Sequence, residues 1–323
     1  MYPQLSKVIL NLLLTGMLFV NAQNNNFSSM LREWRTPSGP PKVLAAYMPW
    51  FGDKNHLDVG YSSHDVDTVR RQIDEASSMG IAGFIVDWNG PRHAYTDKSV
   101  DVVAQAASEK HFLFGLLYNE SDDAEQSTDE AISDFDQAYN RYIGPKARFR
   151  DTYLTFNGRP VIFIFPKSGK TDWNKVRQHV SNWVSPPIIL YKDDSGQFAN
   201  AFDGFYVWVH PGKKGWASDG SDWGKDHLQD FYKRMKDKYP QKILVAGAWP
   251  GFDDSHAKWG LNRRMDTRCG KTLEDTLHLA EDYSGPNPVP FLLVQTWNDY
   301  EEGTAMERRS LKDCSDKNRV GSF

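Results

Sequence analysis

The chain has 323 residues, 40% of them hydrophobic and 25% charged, enough for one large α/β barrel or two average domains. A net charge of −4 excludes a binder that relies on electrostatic attraction to nucleic acid. Aromatics reach 13% with 11 Trp, more than a core of this size needs, so some are expected at the surface.

In chain order, residues 1–22 read as a secretory signal. Lys7 is the only charge of the n-region, Val8–Val20 is an apolar stretch too short to span a bilayer, and Val20-Asn21-Ala22 offers small residues before a cut. The expectation is a secreted or extracytoplasmic protein with no stable membrane insertion after cleavage. Residues 23–42 read as a polar, Pro-rich N-terminal lead, and 43–323 are expected to form one domain, the barrel argued for below. Strands are expected at Val43–Met48, Ile81–Asp87, Phe112–Tyr118, Val161–Phe165, Ile188–Tyr191, Gly204–Val209, Ile243–Ala248 and Phe291–Thr296. They are short and almost continuously apolar, as parallel strands buried on both faces should be. Helices are expected at Asp65–Met79, Asp97–Lys110, Thr128–Tyr142, Asp172–Trp183, Asp222–Lys238 and Thr272–Tyr283. The link between the fifth and sixth strands is only weakly helical, and Asn157-Gly158 marks a hairpin turn before the fourth. Eight βα units without a dividing linker imply a single (β/α)8 TIM barrel. An open doubly wound sheet is the rival, but no Gly-rich dinucleotide turn follows the first strand.

In such a barrel the chemistry sits at the C-terminal ends of the strands. Those ends carry Trp50, then Asp87 and Trp88, then Tyr118, Asn119 and Glu120. Further on come Phe165, Tyr191-Lys192-Asp193, Trp208 with His210, and Trp249 followed by Asp253-Asp254. The last end carries Trp297, Asn298 and Asp299. Aromatics beside polar groups suit sugar rings, whose C–H faces stack while their hydroxyls hydrogen-bond. The densest stretch is Thr296–Glu307, TWNDYEEGTAME, where Asp299, Glu301 and Glu302 crowd the exit of the last strand. An acidic solvated turn is the ordinary alternative. Paired carboxylates beside aromatic surfaces suit cleavage of a glycosidic bond. Glu302 is read as the general acid and Asp299 as the base, or as a group acting through a substrate hydroxyl, with Glu301 pointing away. Trp50, Asp87, Trp88, Tyr118, Glu120, Trp208, Trp249, Asp253, Trp297 and Asn298 are the substrate-binding candidates.

His56, His64, His93 and His210 fall near loops without HExxH or CxxC spacing, so no metal is expected. Lys213-Lys214 reads as a solvated loop. Asn26 and Asn119 head glycosylation sequons. Cys269 and Cys314 are the only cysteines, and in an oxidising compartment they are expected to pair, two unrelated buried thiols being the alternative.

Trp297-Asn298-Asp299-Tyr300-Glu301-Glu302-Gly303-Thr304 resembles the final-strand motif of glycoside hydrolase families 71 and 99, the α-1,3-glucanases and endo-α-mannosidases. Trp297–Tyr300 is closer to the glucanase form and Glu302–Glu307 to the mannosidase form. Tyr47–Gly52, Gly60–Asp65, Gly80–Trp88, Asn157–Pro160 and Pro250–Asp254 are similar to the mannosidase pattern in the same order along the chain. The resemblance implies a (β/α)8 fold, no cofactor, and catalytic carboxylates at Asp299 and Glu302. Asp299 stands where the mannosidase pattern has Glu, and Tyr118-Asn119-Glu120 where it has Glu-Pro-Tyr. The expected partner is a polysaccharide or oligosaccharide, α-1,3-glucan or α-mannan-like, acted on by a monomer. A carbohydrate-binding barrel of the same fold without catalysis is the alternative, as is a metal-dependent hydrolase of another bond.

Overall fold

The computed structural model describes residues 31, 32, 34, 42–212, 215–283 and 289–307. The expected signal segment, Asn26, most of the lead, Lys213-Lys214 and Cys314 lie outside them, and with Cys314 the expected disulfide. Among the described residues, eight parallel strands close into a barrel. They are β1 (Lys42–Tyr47), β2 (Gly83–Trp88), β3 (Leu113–Asn119), β5 (Arg159–Phe165), β6 (Ile188–Lys192), β7 (Gly204–Tyr206), β8 (Ile243–Ala248) and β11 (Phe291–Val294). The order β3-β2-β1-β11-β8-β7-β6-β5 is closed by a parallel pairing of β3 with β5, so no edge is left open. The strands are buried almost throughout, and this is why they read as unbroken apolar runs.

The short β4 (Thr155–Phe156) pairs antiparallel with β5 through Asn157 and Gly158, whose positive φ values of 51° and 74° are those a two-residue hairpin turn needs. Two further short strands, β9 (Phe252–Asp253) and β10 (Arg264–Met265), form a hairpin above the barrel that the sequence did not announce.

Among the described residues, six helices pack outside: α1 (Val66–Ser78), α2 (Ala94–Lys110), α3 (Ser127–Ala138), α4 (Trp173–Val180), α5 (Lys225–Asp237) and α6 (Lys271–Tyr283). Helix α1 starts where Asp65 accepts from the Asp67 N–H and buries Val69, Gln72, Ile73 and Ala76, the i, i+3, i+4, i+7 stripe of a one-sided helix. Asp172 caps α4 in the same way. A 3-10 turn, Gly196–Ala201, replaces a helix between β6 and β7. Leu31 and Trp34 are buried, and the Trp34 indole donates to Leu277 O at 3.3 Å, so this part of the lead packs against α6. No helix of the described residues is long and apolar enough to cross a membrane.

Two strands stop earlier than their apolar runs. β7 ends at Tyr206, and the carbonyl of Val207 is taken by the Gln295 side-chain amide at 2.5 Å. β11 ends at Val294, because Thr296 N–H bonds Thr304 O at 2.9 Å instead of a ladder partner. Both endings release chain into the barrel mouth.

Candidate active site

Residues 296–307 leave β11, turn, and return on themselves. Met306 N–H donates to Thr296 O and Glu307 N–H to Trp297 O, at 3.0 and 2.8 Å. Asn298 ties the loop to the end of β1: its Oδ1 accepts from Met48 N–H at 2.8 Å and its Nδ2 donates to Met48 O at 2.9 Å. The first and last strands are thereby joined at the mouth. Within the turn, Asp299 Oδ1 accepts from the Glu302 N–H at 2.9 Å, and both residues border the same cleft. Gly303 closes it at φ +62°, and a Cβ there would meet the Asp253 backbone at 3.0–3.1 Å, so only glycine fits.

The turn borders a cleft of about 540 Å³ at the C-terminal ends of the strands. Asp299, Glu302, Asp87, Trp50 and Trp208 line it, together with Met48, His56, Asn119, Phe165, Lys167, Lys192, Trp259 and Arg263. Trp50 stacks on His56 at 5.0 Å between ring centroids and meets Trp259 edge-on at 6.2 Å. Among the described residues, Trp50 Nε1 and Asp87 Oδ1 are buried without a hydrogen-bond partner. Such atoms suit sugar hydroxyls, which both donate and accept.

The electrostatics are those of acids taken out of water. Burial, then the neighbouring charge of Glu302, holds Asp299 well above the usual carboxylate range. Burial also raises Glu302, against the opposing donation of the Trp259 indole to its Oε1 at 2.8 Å. Asp87 is pushed up to about 6 by burial, while the Asn119 amide, 2.5 Å from its Oδ2, pulls the other way. Glu301 turns from the cleft and accepts from Leu57 N–H at 3.1 Å, its other oxygen lying 2.8 Å from His56 Nδ1.

The remaining candidates stand behind this surface. Trp88 is fully buried and donates to Asp97 Oδ1 at 2.9 Å, and Tyr118 donates to Asp134 Oδ2 at 3.0 Å. Each follows or precedes an inward-facing strand residue, Asp87 and Asn119, and the period of two sends it outward to the helices. Glu120 accepts from the N–H groups of Lys167, Gly169 and Thr171 at 2.8–3.0 Å and thereby shapes the loop after β5. Trp249 donates to Trp223 O at 3.0 Å, and Trp297 packs on Phe84 at 5.5 Å. Asp253 lies beside the turn, its N–H donating to Glu302 O at 2.8 Å, and does not border the cleft. The Asn119 amide is committed to Asp87 inside the cleft, so a glycan on that nitrogen is incompatible with this arrangement.

Trp259 is the lining residue sequence reasoning missed most clearly. It sits on the β9–β10 loop, which has no periodicity. Fully buried Asp254 pins that loop by accepting from Leu261 N–H, Arg263 N–H and Arg263 Nε at 2.7–3.1 Å. The Pro250–Asp254 motif was the one signal that this segment had a fixed shape.

Neither a protein-family model nor a curated protein matches the sequence. Solved structures do. A GH99 endo-alpha-mannosidase from Bacteroides thetaiotaomicron superposes with a TM-score of 0.62 at 17% identity, over 82% of this chain and 87% of that one. The same enzyme in complex with bis-tris-propane gives equal values over 86% of its chain. A glycoside hydrolase-like protein gives 0.60 at 15% identity, over 83% of this chain and 86% of its own. The fold is therefore the (β/α)8 barrel of these glycoside hydrolase-like proteins.

Proposed function

We propose that the chain is an exported glycoside hydrolase that cleaves internal α-linkages of a polysaccharide such as α-mannan or α-1,3-glucan. One observation carries the reading. Asp299 and Glu302 project from a single turn onto one wall of an aromatic cleft, both held above the ordinary carboxylate range. The α-mannosidase named among the structural neighbours favours α-mannan as the first substrate to try.

In this reading Glu302 is the general acid. It is the more accessible of the pair, and its proton passes to the glycosidic oxygen as the C–O bond to the anomeric carbon breaks. Asp299 lies deeper; with the proton of the pair on Glu302, the ionised Asp299 takes a proton from the water, or from the sugar hydroxyl, whose oxygen forms the new bond to the anomeric carbon. Trp50 and Trp208 offer stacking faces, and Asp87 Oδ1 offers an acceptor for a hydroxyl. Glu301 only anchors the loop that carries His56.

The test is release of reducing sugar from yeast α-mannan and from α-1,3-glucan by the purified protein, with Glu302→Gln as control. Release by wild type and not by the variant supports the reading. Binding of either polymer without release by wild type would replace it with a non-catalytic sugar-binding barrel.

A further inference from the structure

Lys192, the last residue of β6, is a cation the proposed hydrolysis does not use. It lines the cleft, and its ammonium sits 4.1 Å above the ring of Phe165, another lining residue. Among the described residues it forms no ion pair within 4.0 Å and no hydrogen bond. The other cations there have partners: Arg263 Nε is bound to Asp254 at 2.7 Å, and Lys167 Nζ lies 3.7 Å from Asp122. Glu302 accepts from Trp259 through Oε1 and acts on Lys192 only through its charge, beyond ion-pair distance. Burial lowers the Lys192 pKa, with Asp193 and Glu302 opposing.

An ammonium partly withdrawn from water and without an ion pair within 4.0 Å is commonly kept where a ligand supplies the anion. A neutral sugar needs hydroxyl donors and acceptors, which Asp87, Asn119 and Trp50 already offer. The aromatic ring under Lys192 keeps the cation in place without neutralising it. Lys167, at the neighbouring strand end, adds positive charge to the same cleft.

We propose that the wall formed by the ends of β5 and β6 is a subsite for an anionic substituent of the glycan, a sulfate ester or a uronate carboxylate, with Lys192 as its counter-charge. The inference deepens the glycan-cleaving assignment and rests on it for the sugar, though not for the anion. It adds a preference for an acid-bearing α-linked glycan over its neutral counterpart.

Two measurements test it on the full-length protein as wild type, Lys192→Gln and Lys192→Arg. In the first, sodium sulfate is titrated at constant ionic strength and followed by tryptophan fluorescence, since Trp50 and Trp208 line the same cleft. A saturable change in wild type and Lys192→Arg that is lost in Lys192→Gln is expected. No change in wild type, or the same change in Lys192→Gln, overturns the subsite. In the second, kcat/KM is compared for matched α-linked oligosaccharides that are neutral, sulfated or uronate-bearing. A charged-to-neutral ratio of about 10-fold in wild type, the worth of one charge-assisted hydrogen bond, should collapse toward unity in Lys192→Gln. The larger ratio identifies sulfate or carboxylate. If Lys192 served only the fold or Glu302, its loss would lower all three substrates alike and preserve the ratio, which overturns the proposal. Sulfate binding without hydrolysis of any α-glycan would retire the assigned reaction and leave the subsite. Hydrolysis with a ratio near unity would do the reverse.

Discussion

The indole N–H of Trp259, on the β9–β10 loop, donates to Glu302 Oε1 at 2.8 Å on the turn after β11. That bond favours the ionised carboxylate, whereas burial favours the protonated acid. Trp259 is therefore placed to set the proton affinity of the group assigned as general acid. Trp259→Phe keeps a ring beside Trp50 but removes the donor, so the Glu302 pKa should rise. An acid catalyst works below its own pKa. The alkaline limb of the kcat/KM profile should accordingly move to higher pH, by up to about 1 unit for one lost hydrogen bond. A limb that stays in place or moves down would remove Trp259 from this role.

Glu301 and Glu302 are neighbours with opposite expected phenotypes. Glu302→Gln and Asp299→Asn should each lower kcat at least about 10²-fold, a typical share for general acid–base catalysis. Glu301→Gln should instead lower the melting temperature, because the buried carboxylate bonding Leu57 N–H and His56 is lost, a change on the order of 1–3 kcal/mol. Turnover and thermal unfolding measured on the same three variants decide the matter. A Glu302→Gln protein with wild-type turnover would send the search for the acid to Asp87.

The tryptophans divide by position. Trp50→Ala and Trp208→Ala remove faces that line the cleft and should weaken glycan binding by about 1–3 kcal/mol, by analogy with other stacking losses. Trp88→Phe and Trp249→Phe each remove an indole donor committed to Asp97 or Trp223, and should act on stability while KM stays near wild type. Titration calorimetry on a non-cleaving background separates the two groups. Equal loss of binding in all four would contradict the geometry.

Asp87 ties stability to pH. Its carboxyl is pushed up to about 6 in the fold, while an unfolded aspartate titrates near about 3.9. Between those values the folded state holds a proton that the unfolded chain has released. The resulting stabilisation is complete below the unfolded pKa and is lost as pH rises through about 6. Burial of Asp299 acts in the same direction. Asp87→Asn removes the Asp87 share and keeps an acceptor for Asn119. The melting temperature of the variant relative to wild type should therefore rise between pH 4.5 and pH 7.5. A constant difference across that range would mean that Asp87 titrates normally.

By itself the sequence determined the barrel. Each strand had to be apolar on both faces and each helix on one, so periodicity and capping located the eight barrel strands and α1 through α6 to within a few residues, but not the β9–β10 hairpin. The position of the Asp299–Glu302 turn was equally legible, since three carboxylates after a buried strand are costly without a structural or chemical task. Tertiary structure decided which strand-end residues face the cleft. A shift of one residue moves a side chain from the barrel mouth to the helix layer. Asp87 therefore lines the cleft while Trp88 is buried behind it, and Asn119 faces inward while Tyr118 reaches α3. Composition at the strand ends does not encode that phase. Only the tertiary structure could bring Trp259 from an aperiodic loop onto Glu302, turn Glu120 toward three backbone N–H groups, and set Lys192 above Phe165. Those contacts join segments far apart in the chain, and no local pattern of residues records them.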